Sequence, residues 1–146
     1  RSARMNLYLD TSALVKLYIR EQGTDEVGLW LSRADFTGTS LITLAEANAA
    51  FARAVRVGGI NRRAGEEAIQ LLAKQWPRYL KTPVTEKIVA RAAELAWTLG
   101  LRGYDAMHLT SAEYWQAVMG SPVILVTYDR QLAAAGLQTG FTIMPE

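Results

Sequence analysis

The chain has 146 residues, half of them hydrophobic, enough for one globular domain whose core needs no staples. It contains no cysteine, which excludes disulfides, thiolate metal sites and a cysteine nucleophile. A net charge of +2 is no nucleic-acid signature by itself, and no run approaches the roughly 18 apolar residues of a membrane span. With no other compartment signal the chain reads as cytoplasmic, and Arg1 to Arg4 before Met5 read as a vector remnant or a short frayed start.

Asn6 to Asp10 reads as a short buried strand, and Thr11-Ser12 supplies N-cap chemistry for a helix through Ala13 to Ile19. Thr24 to Ala34 has helical periodicity, Phe36 to Ser40 reads as a second strand, and alanine-rich Ile42 to Val57 as a helix stopped by Gly58-Gly59. Asn61 caps another helix that Pro77 limits near Trp76. The cluster Arg53, Arg56, Arg62 and Arg63 in this stretch is read as a solvated face. Tyr79 to Val84 predicts a third strand, which Pro83 confines to a sheet edge. A helix from Thr85 to Leu99 ends at Gly100, and another runs from about Tyr104 to Met119. Val123 to Thr127 is the clearest strand, a β-branched run. Asp129 to Ala135 predicts a short helix ended by Gly136, and Phe141 to Met144 an edge strand. Such alternation implies an α/β fold with a mainly parallel sheet covered by helices on both faces. No repeat or linker interrupts it, so residues 1–146 read as one domain.

In open α/β sheets the functional crevice lies beyond the carboxyl ends of the strands. Asp10 and Asp129 each follow a predicted strand and so share that edge. Glu46 joins them if its helix follows the second strand directly, and Asp105 if its helix starts there. Two carboxylates about 4 Å apart repel by roughly 1–4 kcal/mol at effective dielectrics of about 80 to 20, a conflict that a hard divalent cation resolves. Each residue also has an ordinary explanation. Asp105 and Asp129 suit helix caps, Asp10 suits a turn, and Glu46 suits a solvent-facing position.

The residues resemble the PIN domains, and among them the VapC-type toxins of toxin–antitoxin modules. Leu9-Asp10-Thr11-Ser12-Ala13-Leu14-Val15-Lys16 is similar to the family's opening motif, and Thr39-Ser40 followed by Glu46 to its second block. Arg102-Gly103-Tyr104-Asp105-Ala106-Met107-His108-Leu109 matches the third and most specific block, and Thr127-Tyr128-Asp129-Arg130-Gln131-Leu132 resembles the last. The resemblance implies a three-layer α/β/α fold and a Mg²⁺- or Mn²⁺-dependent endoribonuclease. Asp10, Glu46 and Asp105 would form the central acidic triad, with Asp129 completing the metal site. Ser12 and Thr127 would be hydroxyls that orient carboxylates or bound water. Attack by metal-activated water on an RNA phosphodiester would leave a 5′-phosphate and a 3′-hydroxyl.

His108, the only histidine, follows Asp105 by three residues and could face the pocket, and Arg102 could contact phosphate or pair with an acidic side chain; both are read as structural. The tryptophans at 30, 76, 97 and 115 are read as core or interface. Tyr104 and Tyr128 are the better candidates for lining an RNA groove. As partners the resemblance implies a VapB-type antitoxin, a second copy in a homodimer, and RNA, with transfer or ribosomal RNA loops as the expected class. Leu14, Val15, Tyr18, Val27 and Trp30 would offer an antitoxin helix a groove unless they face the sheet.

Rival chemistries fit less well. A haloacid-dehalogenase-type phosphatase wants a second aspartate two positions after Asp10, where Ser12 stands, and a receiver domain wants an acidic pair there. No Gly-x-Ser-x-Gly turn supports a serine hydrolase. The alternative of another class is a PIN-fold scaffold that binds RNA or protein without cutting, which the presence of all four acidic residues argues against.

Overall fold

The computed structural model describes residues 4–146. Its sheet is built from β1 (Asn6–Leu9), β2 (Phe36–Ser40), β3 (Leu80–Thr82), β4 (Val123–Val126) and β5 (Thr142–Met144), in the order β3-β2-β1-β4-β5 with every ladder parallel. The chain moves outward from β1 through β2 to β3, then returns to the other side for β4 and β5. The strand order therefore reverses between β1 and β4, the place where α/β sheets open a crevice. The expected α/β/α architecture is the observed one.

Alternation along β1 sorts the core into two layers. Leu7 and Leu9 face α1 (Thr11–Leu14), α3 (Thr43–Arg56) and α4 (Arg62–Gln75), meeting Leu14, Phe51 and Leu72. Tyr8 points the other way, into a layer with α5 (Glu86–Leu99), α6 (Gly103–Met119) and α7 (Arg130–Gln138). Each fully buried Leu or Phe adds on the order of 1.5–3 kcal/mol. The remaining helix, α2 (Thr24–Arg33), leads into β2. No described helix is long and apolar enough to cross a membrane.

One helix does most to place the candidate site. Residues Asp105 to Ala112 of α6 are all buried, so polar side chains on its first two turns are enclosed with the apolar ones. Its close seat on the sheet depends on Gly38 of β2, where a Cβ would stand 2.9 Å from the Trp115 indole.

Several expectations shift in detail. The first helix is only four residues long and tightens into a 3₁₀ turn at Val15–Leu17, with the Val15 carbonyl accepting from both Tyr18 and Ile19 N–H. Asp10, not Thr11 or Ser12, caps it, accepting from Ala13 N–H at 3.0 Å. The third strand shrinks to Leu80–Thr82, because Tyr79 closes a 3₁₀ turn at Trp76–Arg78 and Pro83 has no N–H to extend the ladder. Gly136 does not end the last helix. A Cβ there would meet Ile143 at 2.6 Å, so this glycine permits close helix–sheet contact, and the chain turns instead at Gly140 with φ 93°.

Of the residues suggested for an antitoxin groove, Leu14 and Val27 are fully buried and so unavailable, while Val15, Tyr18 and Trp30 are partly buried against the layer that contains Leu14. Trp97 is 90 % exposed rather than core, whereas Trp115 is buried. Of the reading given to residues 1–4, residues 1–3 lie outside the described ones; the Arg4 guanidinium lies over the Phe36 ring at 5.4 Å.

Candidate active site

Asp10 leaves β1 with its N–H still bonded to Val126 O at 3.2 Å, so its backbone belongs to the end of the β1–β4 ladder. Its side chain is 3 % exposed and fixed from three directions. Thr127 Oγ1 donates to Oδ2 at 2.6 Å, Ser12 Oγ donates to Oδ1 at 2.7 Å, and the Ala13 N–H reaches Oδ1. Those hydroxyls are themselves anchored, since Ser12 Oγ accepts from Tyr128 N–H at 2.9 Å and Thr127 Oγ1 from Asp129 N–H at 3.0 Å. Burial pushes the Asp10 carboxyl above its ordinary range, opposed by the His108 ring and these donors.

Glu46 projects from the first turn of α3, just after β2. Its Oε1 accepts from Thr11 Oγ1 at 2.6 Å and lies 2.7 Å from His108 Nε2. An acidic acceptor calls for a proton on Nε2, and Nδ1 lies 2.8 Å from the buried Tyr8 hydroxyl. Partial burial raises the Glu46 carboxyl, but the bonds from His108 and Thr11 outweigh it and hold it below its ordinary value. Burial, with the charges of Asp10 and Glu46 adding to it, keeps the Tyr8 phenol well above its ordinary value, so Tyr8 remains a donor.

Asp105 lies in the first turn of α6 rather than at its cap, a position occupied by Arg102. Arg102 Nε donates to Asp105 Oδ2 at 2.9 Å, and Nη2 pairs with Asp129 Oδ2. Asp129 does cap its helix, accepting from Leu132 N–H at 2.9 Å through Oδ1. Burial raises the Asp105 carboxyl, and the Asp129 charge adds to the rise, against the lowering effect of Arg102 and His108. For Asp10 and Asp129, capping and membership of the acidic edge are compatible: Oδ1 caps the helix, while Oδ2 accepts from Thr127 in Asp10 and pairs with Arg102 in Asp129.

All four acidic side chains thus stand along one edge, linked by His108 near Glu46 and by Arg102 between Asp105 and Asp129. Ser12 and Thr127 both hold Asp10. The structural reading of His108 and Arg102 gives way to the alternative weighed beside it, since both bond directly to the acidic residues. Only Thr11 escaped the sequence reading, serving Glu46 rather than a helix end. The i, i+3 spacing of Asp105 and His108 on one helix face was the available signal for His108. Tyr104 is 64 % exposed beside Asp105, whereas Tyr128 is tied back, its hydroxyl donating to Glu26 and its ring lying under Lys16 Nζ at 4.3 Å.

Among the described residues no three aspartate, glutamate or histidine groups are arranged to hold a metal ion. Asp10 and Glu46 each have donors of their own, and Asp105 and Asp129 share Arg102. The donor chemistry still suits a hard cation, because the free lone pairs are carboxylate and hydroxyl oxygens while both nitrogens of His108 are engaged. Mg²⁺ needs only one or two direct carboxylates, so no closed cage is required.

The sequence pattern of the PIN domain matches residues 7–137. The chain is 32 % identical over 143 residues to Ribonuclease VapC47 of Mycobacterium tuberculosis (strain CDC 1551 / Oshkosh), covering 92 % of this chain and 93 % of that one. Its fold resembles the crystal structure of Mycobacterium tuberculosis VapC20, described as a sarcin-ricin loop cleaving toxin, with a TM-score of 0.62, 20 % identity, and coverage of 89 % and 95 %. It also resembles VapBC-5 of Mycobacterium tuberculosis, a member of the VapBC family of toxin–antitoxin systems, with a TM-score of 0.57, 20 % identity and coverage of 94 % of both chains. The chain belongs to the PIN-domain family and is a homologue of the VapC toxins of toxin–antitoxin systems.

Proposed function

We propose that the protein is a Mg²⁺- or Mn²⁺-dependent endoribonuclease acting as the toxin of a toxin–antitoxin pair. The observation that carries this reading is the placement of Asp10, Glu46, Asp105 and Asp129 along the carboxyl edge of the sheet, Asp10 and Glu46 with donors of their own and Asp105 and Asp129 sharing Arg102. The VapC relatives support a nuclease toxin, and VapC20 in particular is described as a sarcin-ricin loop cleaving toxin. Asp10, Glu46 and Asp105 would hold the cation, with Asp129 completing its surroundings. When bound, the cation would supply positive charge against the phosphodiester and acidify the attacking water.

The residues themselves do the positioning. Ser12 and Thr127 fix the Asp10 carboxylate, and His108 with Thr11 fixes Glu46, so the oxygens need little reorganisation as charge develops. Single-stranded or loop RNA is the expected substrate, from transfer or ribosomal RNA, because its backbone is accessible. A VapB-type antitoxin, a homodimer, a single-domain organisation and a cytoplasmic location complete the proposal.

The test incubates antitoxin-free protein with total RNA in Mg²⁺, in Mn²⁺ and in chelator, beside Asp10→Asn and Asp105→Asn. Discrete cation-dependent cuts that vanish in both variants are expected, and mapping their ends identifies the target. Intact RNA with wild-type protein that binds the cation would favour the non-cutting scaffold.

A further inference from the structure

Arg102 combines three properties that no other residue of the acidic edge shares. It carries a permanent positive charge, it bridges two candidate carboxylates at once, and its side chain is 67 % exposed. Asp105 and Asp129 are much more enclosed, with side chains 13 % and 22 % exposed. The guanidinium is therefore a movable cation lying over a comparatively fixed acidic pair. Its Nη1 has no hydrogen-bond partner among the described residues. Arg102 also lines an open apolar groove of about 420 Å³ with Val89, Ala93, Ala96, Tyr104 and Met107.

A divalent cation and Arg102 make competing demands on Asp105, because both are satisfied by the same carboxylate oxygens. A phosphodiester makes the opposite demand: four carboxylates repel it, and a guanidinium fork matches its oxygens. We propose that Arg102 is a phosphate-binding residue for the substrate, released to that task when a divalent cation takes its place on Asp105 and Asp129. The inference rests on the cation-dependent nuclease reading. It makes cation binding and phosphate binding mutually reinforcing, since each draws the equilibrium toward the same arrangement of one side chain.

Two binding measurements on the intact protein test it, neither of which reads cleavage. Mn²⁺ affinity is measured by calorimetry without nucleic acid. Affinity for a fluorescein-labelled single-stranded DNA octamer is measured by anisotropy, with Mn²⁺ and with chelator. Wild type, Arg102→Gln, Arg102→Lys and Asp105→Asn are compared after thermal melts verify folding. Arg102→Gln should bind Mn²⁺ roughly three- to tenfold more tightly, the scale set by losing exposed ion-pair competition, while its octamer affinity in Mn²⁺ falls by a similar factor. Arg102→Lys, which retains charge without the fork, should fall between. Wild type should bind the octamer more tightly with Mn²⁺ than with chelator, and Asp105→Asn should lose Mn²⁺ affinity. Movement of both affinities in the same direction, or of neither, in a variant that binds Mn²⁺ overturns the role of Arg102 and leaves the nuclease reading standing. Absence of Mn²⁺ binding in every protein overturns the nuclease reading and, with it, this inference.

Discussion

Asp10 and Asp105 lie on the same edge of one sheet, yet the first is held by neutral donors and the second by a charged one. The donors to Asp10 come from the short helix that follows it and from the end of β4, and each hydroxyl is secured by a backbone N–H. Those bonds orient the carboxylate without cancelling its charge. The Asp105 side has its charge balanced already, by an exposed arginine that can leave. One half of the edge is thus built to present a fixed anion, and the other to exchange one cation for another. Glu46 stands between the two cases, fastened by the buried Tyr8–His108 pair on one side and by Thr11 on the other.

The largest effect should come from removing the fixed anion. Asp10→Asn retains an acceptor for the Ala13 N–H, so it should fold, while nuclease activity falls on the order of 10²–10³-fold, as for the loss of one preorganised electrostatic contact. Burial holds the Asp10 carboxyl above its ordinary range, so the ionised form opposes folding at neutral pH and its removal relieves that opposition. The melting temperature of Asp10→Asn in chelator should therefore equal or exceed that of wild type. A clearly lower melting temperature would mean that Asp10 stabilises the fold and that its loss of activity is partly unfolding.

A matched pair of substitutions at His108 should have the next largest effect. The amide of Gln can replace the Nε2 donor to Glu46, whereas that of Asn comes closest to Nδ1 and the Tyr8 hydroxyl. His108→Asn should lose about 10–100-fold in activity, the range for partners that orient ligands, and His108→Gln much less. Both remove the same ring from the same packed helix. Equal losses would therefore assign His108 to packing alone.

This contrast also explains how much the sequence revealed. All five strands, the parallel order and the four acidic positions are legible because they depend on local pattern: β-branched runs, cap residues and carboxylates placed at strand ends. The donors are less legible, since each is fixed by a distant element. Thr127 meets Asp10 across β1 and β4, and His108 meets Glu46 from opposite sides of the crevice. Thr11 looks like an N-cap until Asp10 is seen to take that position. Gly136 looks like a helix stop until Ile143 is seen packed against it. In each case a tertiary contact settles a residue whose local meaning is ambiguous.

The smallest effect should be that of Thr11→Val, which keeps shape and removes one donor from Glu46. The Glu46 side chain is 23 % exposed, so water can replace the lost hydroxyl, and stability should change by no more than about 0.5–1.5 kcal/mol. Activity should drop only a fewfold while His108 still holds the same oxygen. The informative measurement is the double variant with His108→Asn. If Thr11 and His108 are two anchors of the one carboxylate, removing the threonine after the histidine leaves Glu46 without a side-chain donor, so the double variant should lose more than the product of the two single losses. Losses that simply multiply would show Thr11 acting on something other than Glu46, and would leave the histidine as the only demonstrated anchor of that side chain.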